Sequence, residues 1–281
     1  MRVLLFVNPQ SRRGARSAGE VRGALERCGV EIAASNGEEN VDAIVVAGGD
    51  GTLARHVSRA LRLDVPVGLI PLGTFNELAR TLEIPLDIDG ACRTIAARAT
   101  RRIDLATANG AYYVNEASIG LSSRLTRLQR PADKQRFGFW AVVASGFAAF
   151  RYLRPFRVEI EFDGGSVRLR TFQLTVANSN RFGGFINAQD AAIDDGRLDL
   201  YAIDAEGLLP IWSAIRAIVA HHWGSGAGLR VYRASRFSVW TGHPHRITAD
   251  GEPAGKTPAE FALLPQALRV FTPGKNFSAG G

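Results

Sequence analysis

The chain has 281 residues, 46% of them hydrophobic and 22% charged, enough for two domains with buried cores. Its 34 Lys+Arg exceed its 27 Asp+Glu by seven, and the whole excess lies in residues 122–157, where eight basic residues meet one acid, Asp133. Balanced charge elsewhere argues against a nucleic-acid binder with a spread positive field, and two cysteines, Cys28 and Cys92, exclude a disulfide framework or a cysteine-based zinc site.

Residues 3–7 form a short apolar run, expected of a strand covered on both faces. They are too few for a signal-peptide core. A helix over 16–28 follows, with Val21, Ala24, Leu25 and Cys28 at helical spacing, then a strand over 30–34. Residues 42–47 read as a third strand broken by Gly48-Gly49-Asp50-Gly51, and 52–63 resume with helical periodicity. A strand over 67–71 and a helix over 76–82 complete an alternation that indicates a parallel sheet. From about residue 102 the rhythm changes to short β-rich runs separated by turns such as Asp163-Gly164-Gly165 and Asp195-Gly196, as in an antiparallel sandwich. Helices over 137–152 and 208–223 interrupt it. The longest apolar stretch, 137–150, falls short of the ~20 residues a bilayer crossing needs, so no transmembrane helix is expected. The fold class is α/β plus all-β: an N-terminal α/β nucleotide-binding domain over 1–109, completed by a returning strand in 265–281, and a C-terminal antiparallel β-sandwich over 110–264.

The loop Gly48-Gly49-Asp50-Gly51-Thr52 carries the sharpest signal. A strand enters it and a helix leaves it, so the glycines let an anion approach the backbone amides while the helix adds its positive end. Residues 49–54 also satisfy the dinucleotide spacing G-x-G-x-x-A, but they follow a third strand, and a carboxylate beside a pyrophosphate is repulsive unless it meets a cation or a hydroxyl. Pro71-Leu72-Gly73-Thr74-Phe75-Asn76 is a second polar strand-to-helix turn, in which Thr74 or Asn76 reads equally as a helix N-cap. Asn8-Pro9-Gln10-Ser11-Arg12 is a third. Ligands of parallel sheets bind beyond the carboxyl ends of strands, so three such loops on one edge favour a nucleotide site. Further on, Asp250-Gly251-Glu252 places two carboxylates two residues apart, and Asp194-Asp195-Gly196-Arg197 is an acidic turn able to offer hard oxygen ligands. Each in isolation reads as a hairpin turn.

Together with Asn115-Glu116-Ala117-Ser118-Ile119-Gly120, these segments resemble, in order along the chain, the diacylglycerol kinase catalytic superfamily, in particular the bacterial soluble lipid kinases related to sphingosine kinases. The glycine-Asp loop alone is shared with NAD kinases. The resemblance implies an ATP:lipid phosphotransferase with the nucleotide in a cleft between the two domains. It implies nucleotide contacts at Asn8, Pro9, Gln10, Ser11, Arg12, Gly48, Gly49, Asp50, Gly51, Thr52, Thr74 and Asn76. It further implies Glu252 as proton acceptor with Asp250 beside it, and a structural Mg²⁺ at Asp195 with the carbonyls of Ala192 and Arg197. A second Mg²⁺ would bridge the phosphates. An NAD kinase-like enzyme and a non-catalytic lipid- or nucleotide-binding protein are the competing readings. Ala54 stands where the family commonly has Asn, Glu77 where it commonly has Asp, and the stretch from Ser11 to Gly48 is short for the family.

The basic residues around the apolar 137–152 segment suggest contact with an anionic membrane surface. The expected location is therefore cytoplasmic and peripherally membrane-associated, with a lipid substrate, no nucleic-acid partner, and a homodimer left open.

Overall fold

In this computed structural model, residues 1–9, 14–34, 40–120, 154–182, 186–187, 192–205 and 229–274 are described. The segments expected as helices over 137–152 and 208–223 lie outside them, as do Gln10, Ser11 and Arg12.

The first 105 residues, with the chain from Pro265 onward, form one compact unit, and Ala106–Leu264 form another. In the first, β1 (Arg2–Val7), α1 (Gly14–Arg27), β2 (Glu31–Ile32), β3 (Ala43–Gly48), α2 (Asp50–Leu63), β4 (Val67–Pro71), α3 (Glu77–Thr81) and α4 (Ile88–Ala96) follow one another. The strands lie parallel in the order β2-β1-β3-β4. All six residues of β3 are buried, which explains its unbroken apolar sequence. α2 turns Leu53, Val57 and Ala60 inward, and α1 buries Val21, Ala24 and Leu25. The end of the chain returns here: Val270 pairs in parallel with Val67, Gln266 N donates to Asp104 Oδ1 at 2.7 Å, and Thr272 N donates to Ala99 O. Cys92, on the buried face of α4, has its thiol pushed up to about 12, first by burial and then by Cys28, so it stays protonated at neutral pH.

The second unit begins in the last residues of β5 (Thr100–Ala108) and continues through β6 (Ala111–Tyr113), β7 (Glu116–Gly120), β8 (Phe156–Phe162) and β9 (Gly165–Ala177). Then come β10 (Arg181–Phe182), β11 (Ile186–Asn187), β12 (Leu198–Asp204), β13 (Leu229–Ala234), β14 (Arg236–Thr241), β15 (Arg246–Ala249), β16 (Glu252–Lys256) and β17 (Ala259–Phe271), the last running on into the first unit's stretch. The pairings within this unit are antiparallel. β9 is its spine: its first half pairs with β8, and its second half with β7 and β12. Alternation in β8 and β14 sends Val158, Ile160, Phe237 and Val239 into a core with Tyr113, Leu174 and Phe261. The α/β plus antiparallel all-β class is as the sequence indicated. Among the described residues, no helix is long and apolar enough to cross a membrane.

Candidate active site

The strand order of the first unit reverses between β1 and β3, since β2 lies on one side of β1 and β4 on the far side of β3. Such a switch point opens a crevice at the carboxyl ends of the strands. Asn8 and the Gly48–Thr52 loop sit there. Asn8 N donates to Ala47 O, and Asn8 Nδ2 donates to Thr52 Oγ1 at 2.9 Å, tying the first loop to the first turn of α2. Among the described residues no side chain caps α2, whose N-cap is Gly49, and the positive end of such a 14-residue helix favours an anion.

The Gly73 loop lies directly against it. A Cβ on Gly73 would fall 2.6 Å from Gly49 Cα and 2.7 Å from Asn76 Oδ1, and Leu72 N donates to Gly48 O. Both amide atoms of Asn76 are spent on closing this loop, Oδ1 accepting from Gly73 N at 2.9 Å and Nδ2 donating to Gly73 O at 3.1 Å. Gly73→Ala is therefore expected to force the two loops apart at a cost of about 1–3 kcal/mol, read by chemical unfolding. An unchanged midpoint would show that the loops are not packed backbone to backbone.

Asp50 has a role the sequence did not suggest. Its Oδ2 accepts from Glu77 N and its Oδ1 from Leu78 N, each at 3.1 Å, so it caps α3 from 27 residues away. Neither Thr74, which is exposed, nor Asn76, whose φ of 50° puts it in the left-handed region, caps that helix with its side chain. Two amides and the positive end of α3 thus hold the carboxylate that would otherwise repel a phosphate, and the polar turn becomes compatible with anion binding. Pro9 is exposed at the same edge, and Gly48 is buried at the end of β3.

In the second unit, Asp250-Gly251 form the two-residue turn of the β15–β16 hairpin, with φ of 45° and 83°, the positive values a tight hairpin of this kind requires. The Asp250 carboxylate accepts three main-chain hydrogen bonds, from Val114 N at 2.7 Å, Asn115 N at 3.0 Å and Glu116 N at 3.1 Å, while Asp250 N donates to Glu116 O. The two acids therefore divide in role. Asp250 fixes the hairpin to the start of β7, and Glu252 stands half-buried at the start of β16. The motif from Asn115 onward thereby gains a purpose: its amides hold Asp250. Tyr113 is wholly buried beside them, and burial, then Asp250 and Glu116, push its hydroxyl well above the usual phenol range, so it stays protonated.

Asp195 closes the turn before β12, its two oxygens accepting from Ala192 N at 3.1 Å and Arg197 N at 3.0 Å. Nearby Asp199 is buried and paired with Arg233 at 2.6 Å. Its carboxyl is raised above the usual range chiefly by burial, with Arg233 opposing and Asp195 adding repulsion. Among the described residues, no group of three or more His, Cys, Asp or Glu could hold a metal. The Asp195 carboxylate is exposed, so a hard cation that keeps several waters, as Mg²⁺ does, could reach it, although both its oxygens already accept from backbone amides.

Residues 2–108 match the diacylglycerol kinase catalytic domain, and 115–272 match the YegS C-terminal NAD kinase beta sandwich-like domain. A diacylglycerol kinase of Bacillus subtilis is 33% identical over 237 residues, covering 83% of this chain and 78% of its own. The chain belongs to the diacylglycerol kinase family. Another relative, a diacylglycerol kinase of Staphylococcus saprophyticus, is 28% identical over 86% of this chain and 80% of its own. The chain spans 55% of a Synechocystis protein at 27% identity. The crystal structure of a diacylglycerol kinase from Bacillus anthracis strain Sterne superposes with a TM-score of 0.76 over 97% of either chain, and at 23% identity that likeness carries the fold alone. Membership places the glycine loops and the Asp-Gly-Glu hairpin within the diacylglycerol kinase family, whose C-terminal domain is itself described as NAD kinase beta sandwich-like.

Proposed function

We propose that the protein transfers the γ-phosphate of ATP to a hydroxyl group of a lipid such as diacylglycerol or a long-chain sphingoid alcohol. The observation that carries this reading is the pairing of an uncapped α2 with an Asp50 whose charge is already held by α3, because together they make the glycine edge receptive to phosphate. Asn8, Gly49, Gly51 and Thr52 would bind and orient the phosphates, and Glu252 would take the proton of the lipid hydroxyl. The hydroxyl oxygen forms a bond to the γ-phosphorus, the bridging bond to the β-phosphate breaks, and ADP leaves. Mg²⁺ bound to the phosphates supplies charge neutralisation. A separate Mg²⁺ would be held by Asp195 with the carbonyls of Ala192 and Arg197, where it stiffens the turn before β12 and takes no part in the transfer.

Incubation with γ-labelled ATP and diacylglycerol, sphingosine, ceramide or NAD separates the readings. Label is expected in one of the lipids. Label in NAD alone would replace this reading by the NAD kinase one, and nucleotide binding without transfer to any acceptor would leave a binding protein.

A further inference from the structure

The outer face of β8, β9 and β14 carries a feature that the phosphate chemistry does not use. Alternation along these strands sends every second side chain away from the core, and the register places the outward ones in rows. Arg157 stands directly opposite Arg170. In the adjacent row Trp240, Glu159 and Arg168 lie side by side across the three strands, with Glu159 and Arg168 joined at 2.9 Å. These residues line an open groove of about 520 Å³ with Thr241 and Gly242. Trp240, at 40%, is one of two large hydrophobic side chains exposed among the described residues.

Two parts of this arrangement are unfavourable in water. Like charges directly opposite across a ladder destabilise the pair, and an indole left in solvent forgoes its burial. Both costs are relieved by one kind of partner, an anionic surface with an apolar layer beneath it. Arginine forks bind phosphodiester oxygens two at a time, and tryptophan rests at the level of lipid headgroups with its ring toward the acyl chains. A nucleic acid offers the first of these but not the second, and Glu159 in the groove with Glu161 exposed one row on interrupts the positive track it would need.

We propose that the outer face of β8–β9–β14, through Arg157, Arg170 and Trp240, docks the protein on the surface of an anionic phospholipid bilayer. The proposal deepens the lipid-kinase reading, since it names where such an enzyme meets the surface that holds its substrate, but its binding test does not depend on catalysis. Arg157 is also the last residue of the stretch, 122–157, in which the chain's excess positive charge lies.

The test uses the full chain and sedimentation with vesicles of phosphatidylcholine alone or mixed with phosphatidylglycerol. Binding is expected only to the mixed vesicles and is expected to weaken with salt. The double variant Arg157→Gln, Arg170→Gln removes the opposed charges without adding a new clash. At about 1 kcal/mol per arginine near an anionic surface it is expected to lose roughly 30-fold in partition coefficient. In Trp240→Phe, quenching of tryptophan fluorescence by brominated lipid is expected to fall, while the circular dichroism spectrum stays that of the parent. Transfer to a dispersed short-chain diacylglycerol is expected to be unchanged in both. If neither parent nor variant transfers phosphate, the kinase reading fails and the vesicle result still stands. Vesicle binding by the double variant equal to the parent's, or binding by the parent to duplex DNA in preference to mixed vesicles, would overturn the docking proposal.

Discussion

Replacing Glu252 by Gln is expected to lower phosphate transfer to lipid about 10²–10⁴-fold, the usual range for losing a positioned proton acceptor, while nucleotide binding persists. The expectation follows from the separation of the two hairpin acids. Glu252 is half-buried at the start of β16, and its amide analogue keeps the side chain's shape while removing the proton acceptor that the proposed reaction needs. The effect should fall on kcat, with the thermal shift produced by ATP unchanged. A Glu252→Gln enzyme with parental kcat would remove this residue from the chemistry.

Asp250→Ala is expected to act through structure. Its carboxylate is the acceptor for three consecutive amides, those of Val114, Asn115 and Glu116, and the first two of these residues are wholly buried. Hydrogen bonds to a charged acceptor contribute about 1.5–3 kcal/mol each, and donors stranded in the interior cost a further ~1–3 kcal/mol, but the three share one carboxylate and do not add. A loss of about 3–5 kcal/mol is the expected net result, a large part of the ~5–15 kcal/mol that holds a domain together. Asp250→Asn keeps one acceptor oxygen and should lose about half as much. Urea unfolding reads both, and Asp250→Ala with an unchanged midpoint would contradict the anchoring role. Because the hairpin carries Glu252, activity should fall in step with the loosening of the hairpin.

These two acids also show how far a sequence can be read. The parallel strands were legible because burial on both faces leaves runs such as residues 43–47 without a polar residue, and the glycine loop because its run of glycines between a strand and a helix is conspicuous, the close approach of Gly49 to Gly73 being what needs them small. The Asp-Gly-Glu stretch was legible by itself only as a hairpin turn, and as chemistry only through the family resemblance. What each carboxylate touches was not. Asp50 reaches α3 across 27 residues and Asp250 reaches β7 across about 135, and such contacts depend on register and loop path that local patterning does not encode. Thr74 or Asn76 accordingly read as the helix cap, whereas the cap comes from Asp50 and Asn76 closes its own loop. The arginine and tryptophan face was hidden too. Arg157, Arg170 and Trp240 are far apart in the chain, and only the pairing of three strands sets them in adjacent rows.

The end of β17 returns to the first unit, where Val270 pairs beside Val67. Its consequence for function is indirect: it completes the sheet whose carboxyl edge carries the phosphate loops.

The most direct test of the central claim is to give the purified chain γ-labelled ATP, Mg²⁺ and diacylglycerol in mixed micelles and to follow label in the lipid phase. Labelled phosphatidic acid is expected from the parent and not from Glu252→Gln; label absent from every lipid acceptor while NAD or no acceptor is phosphorylated would contradict the account.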